Sequence, residues 1–131
     1  HVRTNDATVR AVAGTAVRPV LYVTLTPQSW VLQDREWLAE HVPGDRGLIV
    51  PGPDDPFASS VVPDAVVTHA VLDPSVVADQ SQALRCHETQ VVVGDGWYAL
   101  SNHVVSRLAG REGYGRLDPL TGQLPEQEES A

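Results

Sequence analysis

The stretch of residues 73–103, DPSVVADQSQALRCHETQVVVGDGWYALSNH, contains the clearest helix pattern in the chain. Asp73 belongs to the residue types that cap helix N-termini, and Pro74 then occupies the first helical position, where its missing N–H costs no hydrogen bond. We therefore predict an amphipathic helix that runs from Asp73 to His87. At about 100° per residue its buried face would span an arc of about 120°. That face consists of Val76, Val77, Gln80, Ala83, Leu84 and His87.

His87 lies on the apolar side of this predicted helix. A polar ring on a buried face needs a hydrogen-bond partner, because an unpaired polar group is costly to bury. Three interpretations remain open: a core histidine that a neighbouring group satisfies, a residue of a pocket wall, and a metal ligand.

The composition of the 131-residue chain is that of one globular domain with a modest core, since 42% of its residues are hydrophobic. The net charge of −8 argues against nucleic acid and an anionic membrane surface as partners, because both require a basic patch. No run of about 18 apolar residues occurs, so we predict no membrane span. The single cysteine, Cys86, excludes an internal disulfide and indicates a reducing compartment, which predicts a cytoplasmic protein.

Two residue types are absent from the sequence. It contains no methionine and no lysine, since its nine basic residues are all arginine. A chain without methionine does not begin at a natural start codon, and arginine in place of lysine suggests a GC-rich bacterial genome. We therefore expect a fragment or a processed product of a longer bacterial protein.

Helical and strand patterns alternate along the chain, which is typical of an open parallel α/β sheet. Besides the helix that starts at Asp73, we predict helices at 1–16, 28–41 and 101–108, strands at 20–25 and 65–72, and a hairpin at 91–100. Two strands are too few for such a sheet, so we expect its other strands in a segment outside this chain. Residues 119–131 become increasingly acidic and are predicted to form a disordered tail.

Residues 43–64 form a long loop that is rich in proline and glycine. Loops of this length are usually lids, binding loops or disordered segments, and the apolar residues 48–50 with Phe57 favour a loop that packs on another surface. The adjacent Asp54 and Asp55 leave two interpretations open, a cation site and a solvated turn.

Composition and spacing alone identify no complete catalytic site. The sequence lacks a nucleophile elbow, a glycine-rich phosphate loop and any paired-histidine metal motif. Asp34, Glu36 and Glu40 are predicted to face solvent on the helix at 28–41, although the two glutamates, one turn apart, could alternatively flank a metal. Cys86 adjoins a histidine and an arginine in sequence, but successive helical residues do not face each other, so we predict no activated thiolate. The histidines are His1, His41, His69, His87 and His103.

The segments ALRCHETQVVV, at 83–93, and GDGWYALSN, at 94–102, resemble the C-terminal part of the LmbE-like (PIG-L) zinc-dependent N-deacetylases. The resemblance is to the mycothiol branch, which comprises the deacetylase of the GlcNAc–inositol precursor and the mycothiol-conjugate amidase. RPVLYVTLTPQSW, at 18–30, is similar to a strand and helix start of the same family. The matching motif residues are His87, Thr89, Gln90, Ala99, Leu100, Ser101 and Asn102.

This resemblance implies a fold and a metal ligand. Residues 1–118 would form the C-terminal part of a Rossmann-like, open and mostly parallel sheet with flanking helices. The family carries a Gly-His-Pro-Asp-His motif directly before a helix, and His1 would match its last histidine, which is a zinc ligand.

The family's other motif, Ala-His-Pro-Asp-Asp-Glu, does not occur in the sequence. One ligand cannot hold a catalytic zinc, which takes three protein groups and a water. We therefore assign no catalytic or substrate-binding residue, and we expect this chain to be inactive without the missing N-terminal half of its domain. The complete enzyme would remove an acetyl group from an N-acetylglucosaminyl substrate, with the loop 43–64 as a lid over the pocket. The alternatives are a mycothiol-conjugate amidase and a non-catalytic α/β lobe that binds a partner or completes a sheet.

Overall fold

A computed structural model describes residues 2–17, 19–44 and 47–124. The chain is a mixed α/β domain, as predicted, and none of the described helices is long and apolar enough to cross a membrane. Two short 3-10 helices, Asp64–Val66 and Pro74–Val76, complete the helical elements of this part of the chain. The main elements are α1 Val2–Ala13, β1 Leu21–Pro27, α2 Gln28–His41, β2 Val61–Val62, β3 His69–Leu72, α3 Val77–Arg85, β4 Val92–Val93, β5 Trp97–Ala99, β6 Val105–Arg107 and β7 Arg111–Leu117.

The larger sheet has four strands in the order β2-β1-β7-β3. Strands β1 and β2 of this sheet pair in parallel, whereas β7 lies between β1 and β3 and runs antiparallel to both. The register aligns Leu21 with Leu117 and Leu25 with Gly113. The described strands therefore form a mixed sheet and not the mostly parallel sheet that the resemblance implies, because β7 enters between the two predicted strands.

Strand β7 was not predicted, since glycine weakens a strand pattern. Here two glycines permit the close approach of β7 to β1. A Cβ atom at Gly113 would lie 2.5 Å from the carbonyl oxygen of Leu25, and one at Gly115 would lie 2.6 Å from the Leu25 Cδ1 atom. Gly113 and Gly115 thus weaken the strand pattern in the sequence and also allow β7 to pair with β1.

The smaller sheet is antiparallel, in the order β4-β5-β6. The hairpin predicted at 91–100 is confirmed, but the helix predicted at 101–108 is wrong. Asn102 Oδ1 accepts a hydrogen bond from the backbone N–H of Val104 at 3.1 Å, which forms a turn and not a helix cap. His103 has a positive φ of 61°, and the β-branched Val104 and Val105 then lead into β6.

The helix after Asp73 begins as predicted and ends early. Asp73 Oδ1 accepts from the backbone N–H of Ser75 at 3.1 Å, and Pro74 starts a 3-10 turn that continues into α3. The backbone N–H of His87 then donates to Leu84 O at 2.9 Å, a tight turn that takes the chain out of the helix. His87 is consequently exposed, so its placement on a buried helix face is wrong.

The buried core lies between α2 and the smaller sheet. Partly buried side chains of the long loop, Leu48 and Val50, pack against it, and Ile49 N donates to His103 O at 2.9 Å. Leu48 and Val50 therefore pack on the domain as predicted, whereas the side chain of Ile49 is exposed. The core cluster consists of Leu38, Val42, Trp97, Ala99 and Val105.

The segment after β7 begins with a closed turn. Asp118 Oδ1 accepts from the backbone N–H groups of Leu120 and Thr121 at 2.7 and 3.0 Å, and Asp118 N donates to Gln123 O at 2.8 Å. The tail predicted at 119–131 thus starts with hydrogen-bonded residues, and its part at 125–131 lies outside the described residues.

Candidate functional site

A cavity of about 600 Å³ lies where the two sheets meet α2. Its walls come from β1, α2, the loop between α2 and β2, β5, β6 and the start of β7. Ligand pockets commonly have volumes of about 300–1,000 Å³. This cavity is therefore large enough for a small molecule.

One face of α2 supplies a long wall of the cavity. The spacing of the contributing residues follows the helical repeat, so a single face points inwards. Asp34 was predicted to face solvent, and this is wrong, whereas Glu36 and Glu40 are exposed. The inward residues are Trp30, Val31, Asp34, Arg35 and Leu38.

The cavity wall combines apolar surface with polar and charged groups whose formal charges balance. Three arginines are matched by three carboxylates, so the formal charges cancel. Hydroxyl groups of Thr24, Thr26, Tyr98 and Ser106 also belong to the lining residues. Such a wall suits an uncharged, hydrogen-bonding ligand. The charged residues are Asp34, Arg35, Asp55, Arg107, Arg111 and Glu112.

Asp34 joins α2 to the last two strands through two arginines. Its Oδ1 atom accepts from Arg111 at 2.7 Å and from Arg107 at 3.3 Å. Arg111 also donates to Trp30 O and to Gln33 Oε1, both at 3.0 Å. Because each guanidinium comes from a different strand, this cluster fixes the relative positions of α2, β6 and β7.

Burial raises the pKa of the Asp34 carboxyl above its ordinary value of 3.8. The attraction of Arg111 and then Arg107, with their hydrogen bonds, opposes this shift without reversing it. Desolvation disfavours the charged carboxylate more than the two guanidinium groups favour it. Folding therefore makes the ionisation of the Asp34 carboxyl less favourable.

Tryptophan rings cover the same two arginines. The Cζ atom of Arg107 lies 4.6 Å from the ring centroid of Trp37, and that of Arg111 lies 4.8 Å from the ring centroid of Trp30. These distances are within the range of cation–π attraction. The rings and Asp34 together hold the guanidinium groups against one face of α2.

A third arginine, Arg35, binds the long loop. Its Nη1 atom donates to Pro53 O at 3.1 Å and to Asp55 O at 2.7 Å, and its Nη2 atom donates to Pro56 O at 3.1 Å. Asp55 Oδ2 accepts from the backbone N–H of Gly52 at 2.7 Å. The structure thus places Asp55 in a closed turn, which is one of the two interpretations of the Asp54–Asp55 pair.

The zinc prediction rests on His1, which lies outside the described residues. Within residues 2–17, 19–44 and 47–124, no group of three histidine, cysteine or acidic side chains could hold a metal ion. A catalytic zinc takes three protein ligands. The described residues therefore do not fit a zinc ion by themselves.

The family-like motif residues do not line the cavity. His87, Thr89 and Gln90 are exposed in the turn after α3, and Cys86, beside them, is also exposed. Ala99 is buried in the core, and Asn102 forms the turn before β6. These positions match their family pattern while serving the turn and the core of the part of the chain that the structure describes.

These features define a mixed α/β domain whose cavity is lined by apolar surface and by charged groups that balance, without a complete metal site in its described part. No protein-family model matches the chain. Three curated proteins, each named 1D-myo-inositol 2-acetamido-2-deoxy-alpha-D-glucopyranoside deacetylase, are similar to 87% of it. The identity is 31% over 115 residues for the protein of Acidothermus cellulolyticus, 32% over 119 for that of Actinosynnema mirum and 30% over 127 for that of Geodermatophilus obscurus.

The predicted resemblance is therefore confirmed, because three deacetylases of the branch that it names are similar to most of the chain. It spans about two fifths of their length: 39%, 40% and 42% in the same order.

Proposed function

We propose that this chain is the C-terminal portion of a zinc-dependent hydrolase that removes an acetyl group from an N-acetylglucosaminyl substrate of the GlcNAc–inositol type. The observation that carries the proposal is the similarity of 87% of the chain to three deacetylases with that substrate in their names. The natural compartment would be the cytoplasm, because the substrate is a small metabolite and the chain has a single cysteine.

In this proposal, His1 is one zinc ligand and the remaining ligands belong to the N-terminal half of the same domain. That half would also supply the strands of a Rossmann-like sheet that are not among the described elements. Since one histidine cannot hold a catalytic zinc, this chain would be inactive without that half.

The cavity supports a sugar-type substrate. Its wall offers hydroxyl groups, the Asp34 carboxyl and arginine donors, and its charges cancel. Apolar surface lies beside these groups, including Val31 and Val105. A glucosamine amide linked to inositol is an uncharged molecule with many hydroxyl groups and a few apolar faces, which matches this combination.

The test is deacetylation by the complete polypeptide that contains this chain. We expect it to release a free amine from the GlcNAc–inositol substrate, to lose activity with a chelator and to regain it with zinc. His1→Ala should lower kcat/KM by at least about a hundredfold, as removal of a metal ligand does. Glu36→Ala, at an exposed position of α2, is the control and should leave kcat/KM unchanged.

The same assay with a mycothiol conjugate distinguishes the amidase alternative, for which the conjugate would be the better substrate. Release of no amine from either compound would contradict the proposal and leave the non-catalytic lobe as the better description. Unchanged activity of the His1→Ala variant would contradict the ligand assignment alone.

A further inference from the structure

Arg35 differs from the other two arginines of the cavity in what it binds. Arg107 and Arg111 pair with the carboxylate of Asp34, whereas the described partners of Arg35 are the backbone carbonyls of Pro53, Asp55 and Pro56. Arg35 is buried, with 7% of the residue exposed. A buried cation is costly unless hydrogen bonds satisfy it, so Arg35 and this loop conformation depend on each other.

Two hydrogen bonds between Gly52 and Asp55 also close a turn in the loop, next to the carbonyl groups that Arg35 binds. Asp55 N donates to Gly52 O at 3.3 Å, and Asp55 Oδ2 accepts from Gly52 N at 2.7 Å. Prolines at 51, 53 and 56 restrict the backbone on both sides of this turn. The ring centroid of Phe57 lies 4.9 Å from the Cζ atom of Arg35, which places a ring over the guanidinium.

The end of the loop is attached to α2 as well. Thr26 N donates to Ser60 O at 2.9 Å, and the backbone N–H of Ser29 donates to Asp64 Oδ1 at 3.0 Å. Hydrogen bonding from Ser29, by its side chain first and then by its backbone N–H, lowers the pKa of the Asp64 carboxyl. Residues 51–64 are therefore fastened at the turn by Arg35 and at the far end by β1 and the start of α2.

We propose that Arg35 is a positioning residue that fixes residues 51–57 as a preformed wall of the cavity, so that this segment is not a mobile lid. Pro51, Asp55 and Pro56 of that segment line the cavity. A wall that is ordered before binding spares the ligand the cost of ordering it. The link to substrate affinity rests on the proposed function, whereas the fixing of the loop does not.

The first measurement is hydrogen exchange of the chain in wild type and in Arg35→Met, which keeps an apolar side chain and removes every donor. The hydrogen-bonded amides of Gly52 and Asp55 should exchange at least about tenfold faster in the variant, while those of β1 and β7 keep their wild-type rates. Arg85→Met, at an exposed position of α3, is the matched control and should change neither region. If Arg35→Met accelerates exchange in every element, Arg35→Lys takes its place, because one ammonium group keeps the charge but cannot bridge three carbonyls.

The second measurement separates KM from kcat in the complete polypeptide. Arg35→Met should raise KM for the GlcNAc–inositol substrate about tenfold and change kcat less than about twofold, because the affected group shapes the wall and does not touch the reacting atoms. A rise in both loop exchange and KM supports the proposal. Wild-type exchange of the Gly52 and Asp55 amides in both Arg35 variants would overturn it.

Two mixed results are also decisive. Faster loop exchange with an unchanged KM would overturn the role of the wall in substrate binding. If the wild-type polypeptide released no amine at all, the proposed function would fail, and hydrogen exchange alone would decide whether Arg35 fixes the loop.

Discussion

We compare the stretch 73–103 with the cavity frame, which we define as β1, α2 and residues 105–117. The two regions differ in the strength of their sequence patterns and in the contacts that they make. The stretch 73–103 contains the strongest helix signal and the family-like motif, yet the motif residues that follow α3 are exposed. The cavity frame has weaker sequence patterns, yet it holds the ion pairs and the cation–π contacts. The similarity of a segment to a family and its place in the cavity are therefore separate properties.

The difference has a physical origin in the range of the contacts. A helix start such as Asp73–Pro74 depends on residues that are adjacent in sequence. The cluster around Asp34 joins residues that are 73 and 77 positions apart. Local patterns are visible in one sequence, whereas distant pairs become visible only after the chain has folded.

The largest difference between the two regions should appear when one arginine of each is replaced by methionine. Arg111→Met removes the bonds to Asp34, Gln33 and Trp30, leaves Asp34 with one partner, and should lower the free energy of unfolding by about 2–3 kcal/mol. Arg85→Met, in an exposed position of α3, should change it by less than about 0.5 kcal/mol. Urea unfolding of both variants measures the difference. Similar losses in the two variants would contradict the distinction between the regions.

The fold was predictable where the signals are local. The first strand, the helix that follows it and the hairpin at 92–99 were found because their patterns lie within a few residues of each other. Strand β7 was missed because Gly113 and Gly115 resemble breaks in a strand, although the pairing with β1 requires them. Without β7, the larger sheet could not be assigned its mixed topology.

The candidate site was less predictable than the fold. Asp34 was placed towards solvent because a carboxylate on a helix usually faces water. Its inward position depends on Arg107 and Arg111, and nothing in the spacing of one sequence links an aspartate to two arginines more than 70 residues away. The long loop could be recognised as a packing segment, but the bonds from Arg35 that fix it could not.

A smaller effect concerns the pH dependence of the cavity frame. The pKa of Asp34 is raised in the folded state, mainly by burial, so its stabilising contribution is complete below the ordinary value of 3.8 and is lost as the pH rises through the folded pKa. Relative to Asp34→Asn, the wild type should therefore become less stable as the pH increases from below 3.8 towards neutrality. Urea unfolding of both proteins across this range gives the difference.

A wild type that gained stability over Asp34→Asn with rising pH would show that the arginines outweigh desolvation at Asp34. The folded pKa would then lie below the ordinary value, and the cluster would be a strong ion pair. The sign of this one slope decides between the two descriptions.

The smallest effect is expected at the motif residue whose environment was predicted incorrectly. His87 is exposed in the turn after α3, so His87→Ala should change the free energy of unfolding by less than about 0.5 kcal/mol. The backbone bonds of the turn, from His87 N to Leu84 O and from Gln90 N to His87 O, do not require the ring. The change in the free energy of unfolding should be measured in the chain and in the complete polypeptide. A loss of more than about 1 kcal/mol would mean that the ring is buried against another part of the polypeptide. A loss confined to the complete polypeptide would mean that His87 lies at an interface with the rest of the domain. The contrast between the two regions would then hold only for the chain on its own.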